Sequence, residues 1–155
     1  MKFPNRRMAK FVINITIASA KGVNMTEKLE MYKCETCGNL VQVLLAGEGE
    51  LVCCGHAMQH LAPNTTENVK TEYHIPVYKY TDKDGIVIQV GQEPHPMIPE
   101  HYIMFIETIS EDKKCVRLHY LEPNEEPKML LDKKIGKETA LAFCKLHGLW
   151  EGQSD

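Results

Sequence analysis

The stretch Phe143-Cys144-Lys145-Leu146-His147-Gly148-Leu149-Trp150 places the tightest constraint on what this chain can fold into. A cysteine and a histidine three apart, closed by a glycine, can point a thiolate and an imidazole at one ion. Alone, Cys-x-x-His is a weak signal. It sharpens beside Pro94-His95-Pro96-Met97-Ile98-Pro99-Glu100-His101-Tyr102 and the isolated His74, which add three imidazoles. Prolines on both sides of His95 restrict the loop and pre-position its rings. Five donors exceed the four that a structural zinc takes. Mixed nitrogen and sulfur ligands in that number suit a redox iron that keeps its sixth position open. Each residue also has a plainer reading, since a lone strand histidine is usually a polar surface residue and a lone cysteine a small core residue. His119 and Cys115 lie mid-strand without a partner motif and take those plainer readings.

A second donor group lies nearer the front. Cys34-Glu35-Thr36-Cys37-Gly38-Asn39 has the glycine that a metal knuckle needs for its tight turn, and Cys53-Cys54-Gly55 follows it. Disulfides here would close very short loops, whereas four thiolates around one metal meet the same spacing without strain. The segment 25–62 is too small to bury enough apolar surface by itself, so a metal staple is expected. Spacing does not separate iron from zinc, because both accept tetrahedral sulfur. The adjacent Cys53-Cys54 pair is expected to distort the tetrahedron. His56 and His60 read as solvent-exposed, since four thiolates already complete the set.

Around these motifs the chain reads as strands. Residues 40–44 are expected to form one, with Gly47 and Gly49 marking a hairpin turn and Leu51-Val52 the return. Residues 63–69 have linker composition. Beyond them, 75–80 and 86–90 flank an Asp84-Gly85 hairpin signature, and 102–109, 115–121 and 128–131 read as further strands. Only 137–143 reads as a helix, delivering Cys144. The pattern predicts a mainly β chain, with a small metal-stapled domain over 25–62 and an antiparallel sandwich over 70–155.

Residues 1–24 carry Lys2, Arg6, Arg7, Lys10 and Lys21 and no acid, which leaves 13 basic against 21 acidic residues, or −8, for the remainder. An acidic body argues against a nucleic-acid partner, because phosphate binding needs a basic face. No apolar run approaches the roughly 18 residues that span a bilayer. Arg6-Arg7 precedes a short apolar stretch ending Ala18-Ser19-Ala20, the order of an export signal, although Asn14 and Thr16 interrupt it. The other reading starts the protein at Met25. Cytoplasmic location is expected on that reading, and a periplasmic one if 1–24 is a genuine signal.

From Met25 onward, over about 130 residues, the motifs resemble desulfoferrodoxin, the two-iron class of superoxide reductase. Cys34-x-x-Cys37 with Cys53-Cys54 resembles its desulforedoxin-like domain. Gly91-x-x-Pro94-His95-Pro96-Met97, His101-Tyr102-Ile103 and Cys144-x-x-His147-Gly148-x-Trp150 resemble its catalytic domain. The resemblance implies two mononuclear irons. One is held by Cys34, Cys37, Cys53 and Cys54. The other has His74, His95, His101 and His147 as equatorial ligands and Cys144 as the axial one, in an immunoglobulin-like sandwich that usually forms a homodimer. The implied activity is one-electron reduction of superoxide to hydrogen peroxide without release of oxygen, in oxidative-stress defence, with rubredoxin or a similar carrier resupplying electrons. Glu72 carries over as a ligand of the ferric state. The family commonly has Glu-Lys-His where this chain reads Glu72-Tyr73-His74, so the lysine credited with steering superoxide is missing. Lys70 is the nearest upstream cation to take its place. The alternative reading is a rubredoxin-like electron-transfer protein without turnover, which the first site alone could support, and zinc at both sites would leave a purely structural protein.

Overall fold

The computed structural model describes residues 25–65, 73–80, 85–132 and 136–154. The extension 1–24, Lys70 and Glu72 lie outside them. The chain divides between Met58 and Gln59 into two compact units.

In the first unit β1 (Met31–Lys33) pairs antiparallel with β2 (Leu40–Gln42), and β3 (Val52–Cys53) with β4 (His56–Ala57). The expected hairpin from 40–44 back through Leu51 does not form. Instead the Gly47 segment pairs with the front of the unit: Thr26 N–H donates to Gly47 O at 3.0 Å, and Gly47 N–H to Thr26 Oγ1 at 3.0 Å. The reason is apolar supply. Leu44 and Leu45 are 70% and 86% exposed, so beyond Val43 the run has no face to bury. Among the described residues of this unit, Leu29, Met31, Cys34 and Val43 are the buried apolar ones. Four such side chains contribute roughly 6–12 kcal/mol, while ordering backbone costs about 1–2 kcal/mol for each residue. So small a core makes a metal staple the expected support of this unit.

The second unit opens with β5 (Gln59–Leu61) and continues into a sandwich of β6 (Pro76–Tyr80), β7 (Ile86–Val90), β8 (Ile103–Ser110), β9 (Val116–Tyr120), β10 (Lys128–Leu131), β11 (Glu138–Cys144) and β12 (Gly148–Gln153). One sheet has the order β10-β7-β6 and the other β12-β11-β8-β9, with antiparallel ladders throughout. Between them Ile86, Ile88, Val90, Met129 and Leu131 meet Ile103, Ile106, Ala140, Ala142, Cys144 and Trp150. The expected mainly β architecture, a cysteine-rich module followed by an antiparallel sandwich, is what forms.

The helix expected over 137–143 is a strand. Ala140-Leu141-Ala142 are good helix formers, but β11 lies between β8 and β12 and is buried on both faces. A central strand of this kind reads as a continuous apolar run, which periodicity cannot tell from a buried helix. Its alternation still shows: Ala140, Ala142 and Cys144 are fully buried toward the core. Opposite Ala140, a Cβ on Gly152 would lie 2.0 Å from Pro76 O, so only glycine lets β12 approach β6 this closely. Gly152→Ala is therefore expected to destabilise the fold by about 2 kcal/mol or more in urea unfolding. Gly47→Ala, where nothing lies within 4 Å, should stay within about 0.5 kcal/mol of the parent.

Candidate metal centres

Three separate stretches of the second unit converge on one point. His74 stands just ahead of β6. Gly91, directly after β7, has φ +84°, and a Cβ there would lie 2.3 Å from Glu93 O and 2.6 Å from Tyr73 O. Glycine is required. Its N–H donates to Ile75 O at 2.9 Å, fastening the histidine loop to the His74 strand, and His95 N–H returns to Val90 O at 3.1 Å. Farther along, Ile98 and His101 exchange backbone hydrogen bonds of 3.2 and 2.9 Å around Pro99, whose fixed φ suits the turn.

The third stretch is the turn from β11 to β12, where Cys144 pairs with Gly148 and Gly148 has φ +74°. The ladder to β8 shifts register between Phe143 and Cys144, an irregularity of the kind that re-aims a side chain. Lys145 ties this turn to the histidine loop. Its main-chain N–H donates to Tyr102 O at 3.0 Å and its Nζ to Pro99 O at 2.7 Å.

The ligating atoms of His74, His95, His101, Cys144 and His147 all lie within 4.8 Å of one another. Around the circuit His74–His95–His101–His147 the ring centroids are 4.7, 4.5, 4.8 and 4.6 Å apart, with adjacent rings 70–81° from coplanar. The diagonal His74–His101 is 6.0 Å. Four imidazoles thus stand at the corners of a square, with the Cys144 sulfur as fifth donor.

The free lone pairs fit a cation. His95 Nδ1–H donates to Pro96 O at 2.6 Å, which leaves Nε2 as its donor atom, and that Nε2 and the Nε2 of His101 are buried without a hydrogen-bond partner. His74 Nε2 meets His147 Nδ1 at 2.8 Å, and Cys144 Sγ lies 3.5 Å from the same nitrogen. Burial, then the neighbouring imidazoles, push His74 down to about 4. Burial likewise holds His95 at about 4, against an opposing bond to Pro96, and lowers His101. Near neutral pH the rings of His74 and His95 are therefore uncharged and ready to donate. Burial raises the Cys144 thiol, with the backbone N–H groups of His147 and Leu146 acting the other way, so a cation is what draws off its proton. His74, His95 and Cys144 are buried, whereas His147 is exposed and opens one side of the centre to solvent.

The first unit builds the other centre locally. Gly38 N–H donates to Cys34 O and Cys34 N–H to Asn39 O, both at 2.9 Å, which turns Cys37 back toward Cys34. Cys53 and His56 pair across a two-residue turn in which Cys54 (φ +52°) and Gly55 (φ +78°) both take the positive values of a type I′ hairpin. The sulfur separations are 3.6 Å for Cys37–Cys53 and 3.9 Å for Cys53–Cys54, and all four sulfurs lie within 4.8 Å. Bonds of about 2.3 Å in a tetrahedron give sulfur–sulfur edges of about 3.8 Å. The distortion expected of the adjacent pair does not arise on its own edge, because the left-handed Cys54 turns its side chain back. The backbone N–H of Cys37 brings the Cys34 thiol down to about 6, while hydrogen bonding to Cys37 first, then Cys53 and Cys34, pushes Cys54 up to about 12. Four thiols so close cannot all ionise unless a cation joins them.

His56, His60 and His119 are exposed and Cys115 half-buried, in keeping with their plainer readings. Lys145 and Gly91 were not assigned positioning roles from the sequence. Nothing in their spacing signals those roles, which arise only when the loops meet.

A family model described as "Desulfoferrodoxin, N-terminal domain" matches residues 26–61, and one described as "Desulfoferrodoxin" matches residues 66–153. The desulfoferrodoxin of Syntrophotalea carbinolica is 46% identical over 129 residues, covering 83% of this chain and 99% of the relative. A superoxide reductase of Pyrococcus abyssi is 37% identical over 100 residues, 54% of this chain and 87% of its own. Among solved structures, the superoxide reductase from Treponema pallidum has a TM-score of 0.59 at 21% identity, covering 82% and 99% of the two chains, which speaks for the fold. The two donor sets are consistent with two iron centres.

A pH dependence follows from the buried imidazoles. His74 and His95 titrate at about 4 in the folded protein against 6.5 in the unfolded chain, so between those values the unfolded state binds more protons. Thermal unfolding of metal-free protein should show full stability above about pH 6.5 and a falling midpoint as pH drops toward 4. His74→Gln and His95→Gln should each flatten that slope.

Proposed function

We propose that this chain, which belongs to the desulfoferrodoxin family, is a superoxide reductase in oxidative-stress defence. The observation that carries the reading is the five-donor cluster of His74, His95, His101, His147 and Cys144, whose ligating atoms lie within 4.8 Å of one another. Iron held there would supply the electron for O2•− + e− + 2H+ → H2O2. His74, His95, His101 and His147 would hold the iron through ring nitrogens, and burial keeps the His74 and His95 rings uncharged near neutral pH. Cys144 would contribute the single negative charge, and a thiolate donor there would favour oxidised iron. With ferrous iron the centre carries +1, which attracts a small anion. Glu72 is assigned to ligate the ferric state, on the family's pattern. The opening beside His147 gives a diatomic anion its way in.

The four-cysteine centre takes a supporting part. Cys37 and Cys54 are exposed, which suits a second iron that passes single electrons at the surface. Its donor is assigned to rubredoxin or a similar carrier, and the working form to a homodimer. The domain limits proposed are 25–62 and 70–155. No helix among the described residues is long and apolar enough to cross a membrane.

The decisive experiment mixes ferrous protein with superoxide and follows peroxide and oxygen. One peroxide for each superoxide with no oxygen is expected; release of oxygen, or no reaction, sinks the proposal. Cys144→Ser should lower the rate by at least about 100-fold, because an alcohol cannot replace the thiolate's electron donation. Cys53→Ser should lose the first metal and keep the superoxide reaction. Equal loss in both variants would refute the division of labour.

Tyr73 occupies the place of the family's lysine and is 53% exposed, so its side chain can be changed without disturbing the core. Tyr73→Lys should steepen the fall of the capture rate with ionic strength. If Lys70 steers, Lys70→Ala should slow capture and flatten that dependence. An unchanged rate and slope would leave the iron's own charge as the attractor.

A further inference from the structure

His95 and His74 are held by different means. His95 has its Nδ1–H on Pro96 O, the usual arrangement in which the second ring nitrogen of a metal-binding histidine is fixed by a carbonyl. His74 faces the other donors through Nε2, which meets His147 Nδ1, and its buried Nδ1 has no hydrogen-bond partner among the described residues. Among those residues no polar group bonds the Nδ1 edge of this ring. What lies against it is Trp150, the only tryptophan in the chain, 3% exposed, with ring centroids 4.5 Å apart and planes 19° from parallel. The same indole donates its Nε1–H to His147 O at 3.1 Å.

We propose that Trp150 is a positioning residue of the histidine-cysteine centre, orienting His74 by stacking and the His147 turn by its indole hydrogen bond. The inference rests on the reading of those five residues as a metal centre. One rigid side chain then touches the His74 imidazole and the main chain of the His147 turn, in stretches 73 residues apart. The indole can do so because its own strand is held. Trp150 pairs with Ala142 in the ladder, and on the other side Asn64 N–H donates to Leu149 O at 2.8 Å while Glu151 N–H donates to Asn64 O at 2.9 Å. A side chain carried on a strand held from both sides presents a steady face, and an aromatic stack holds its partner's tilt without competing for the lone pair that a metal would need.

The two contacts are separable. Trp150→Phe keeps an aromatic face for His74 and removes the N–H, whereas Trp150→Leu removes both. Each is prepared as iron-loaded full-length chain beside the parent. The readouts are the absorption maximum of the oxidised second centre, the rate of iron loss to a chelator, and the thermal midpoint after metal removal. The expectation is a parental absorption maximum in Trp150→Phe with iron loss a few-fold faster. Trp150→Leu should show a displaced maximum and iron loss at least about 10-fold faster. Parental maxima and iron-loss rates in both variants, with only the metal-free midpoint lowered, would reduce Trp150 to a core filler and overturn the proposal. In the parent, loading of the second centre with iron should quench tryptophan emission; unchanged emission overturns the contact. A parent that takes up no metal at these five donors would instead overturn the reading of the centre itself.

Discussion

Donor atoms with free lone pairs, packed within 4.8 Å of one another and largely cut off from water, are the condition on which the second unit is built. Each buried nitrogen without a partner costs about 1–3 kcal/mol, and a buried thiol resists ionisation. Such a cluster persists only where a rigid frame holds it, and a bound cation would offset the penalty, since apparent metal binding in small structural sites is on the order of 10 kcal/mol. The sandwich is that frame. Its fully buried Ile88, Val90, Ile103 and Ile106 lie behind the ligands, so the geometry does not have to be made by the metal.

The four-cysteine centre inverts this relation. Its ligands span only Cys34 to Cys54 and are placed by local turns, a knuckle at Gly38 and a positive-φ pair at Cys54-Gly55. Four buried apolar residues cannot hold those turns, so here the metal makes the fold. The two centres therefore answer differently to chemistry. Removing the first metal should unmake a module, whereas removing the second exposes a site within a frame that has its own core.

How far the sequence could be read follows the same division. All nine cysteine and histidine donors were visible, because ligand type and spacing are properties of the chain itself. The strands with clean alternation, such as 86–90, were visible too, and β7 spans Ile86–Val90. Residues 137–143 read as a helix because their apolar run is continuous, whereas β11 is a central strand with Ala140 and Ala142 fully buried in the core. β12 went unassigned since Gly148 and Gly152 break its strand pattern, yet both glycines are fixed by tertiary geometry, one in a positive-φ turn and one at a close approach. Trp150 stood in a recognisable motif without a role, as stacking on a residue 76 positions earlier leaves no trace in local pattern.

The ligand-bearing stretches are also joined to one another by groups that are not ligands. Gly91 fastens the His95 loop to the His74 strand through Ile75 O. Lys145 fastens the Cys144–His147 turn to that loop through Tyr102 O and Pro99 O. Trp150 fastens the same turn back to His74. Three stretches and three ties make a closed triangle, in which each stretch is held from two sides. An open chain of ties would let the end members swing and would leave the metal to set their positions; a closed one holds the square of imidazoles before any ion arrives. Preorganisation of this kind lowers the cost of binding and restricts the choice of geometry, which is how a site built from common donors can favour a five-ligand arrangement with one position open over the four-coordinate one that zinc would take.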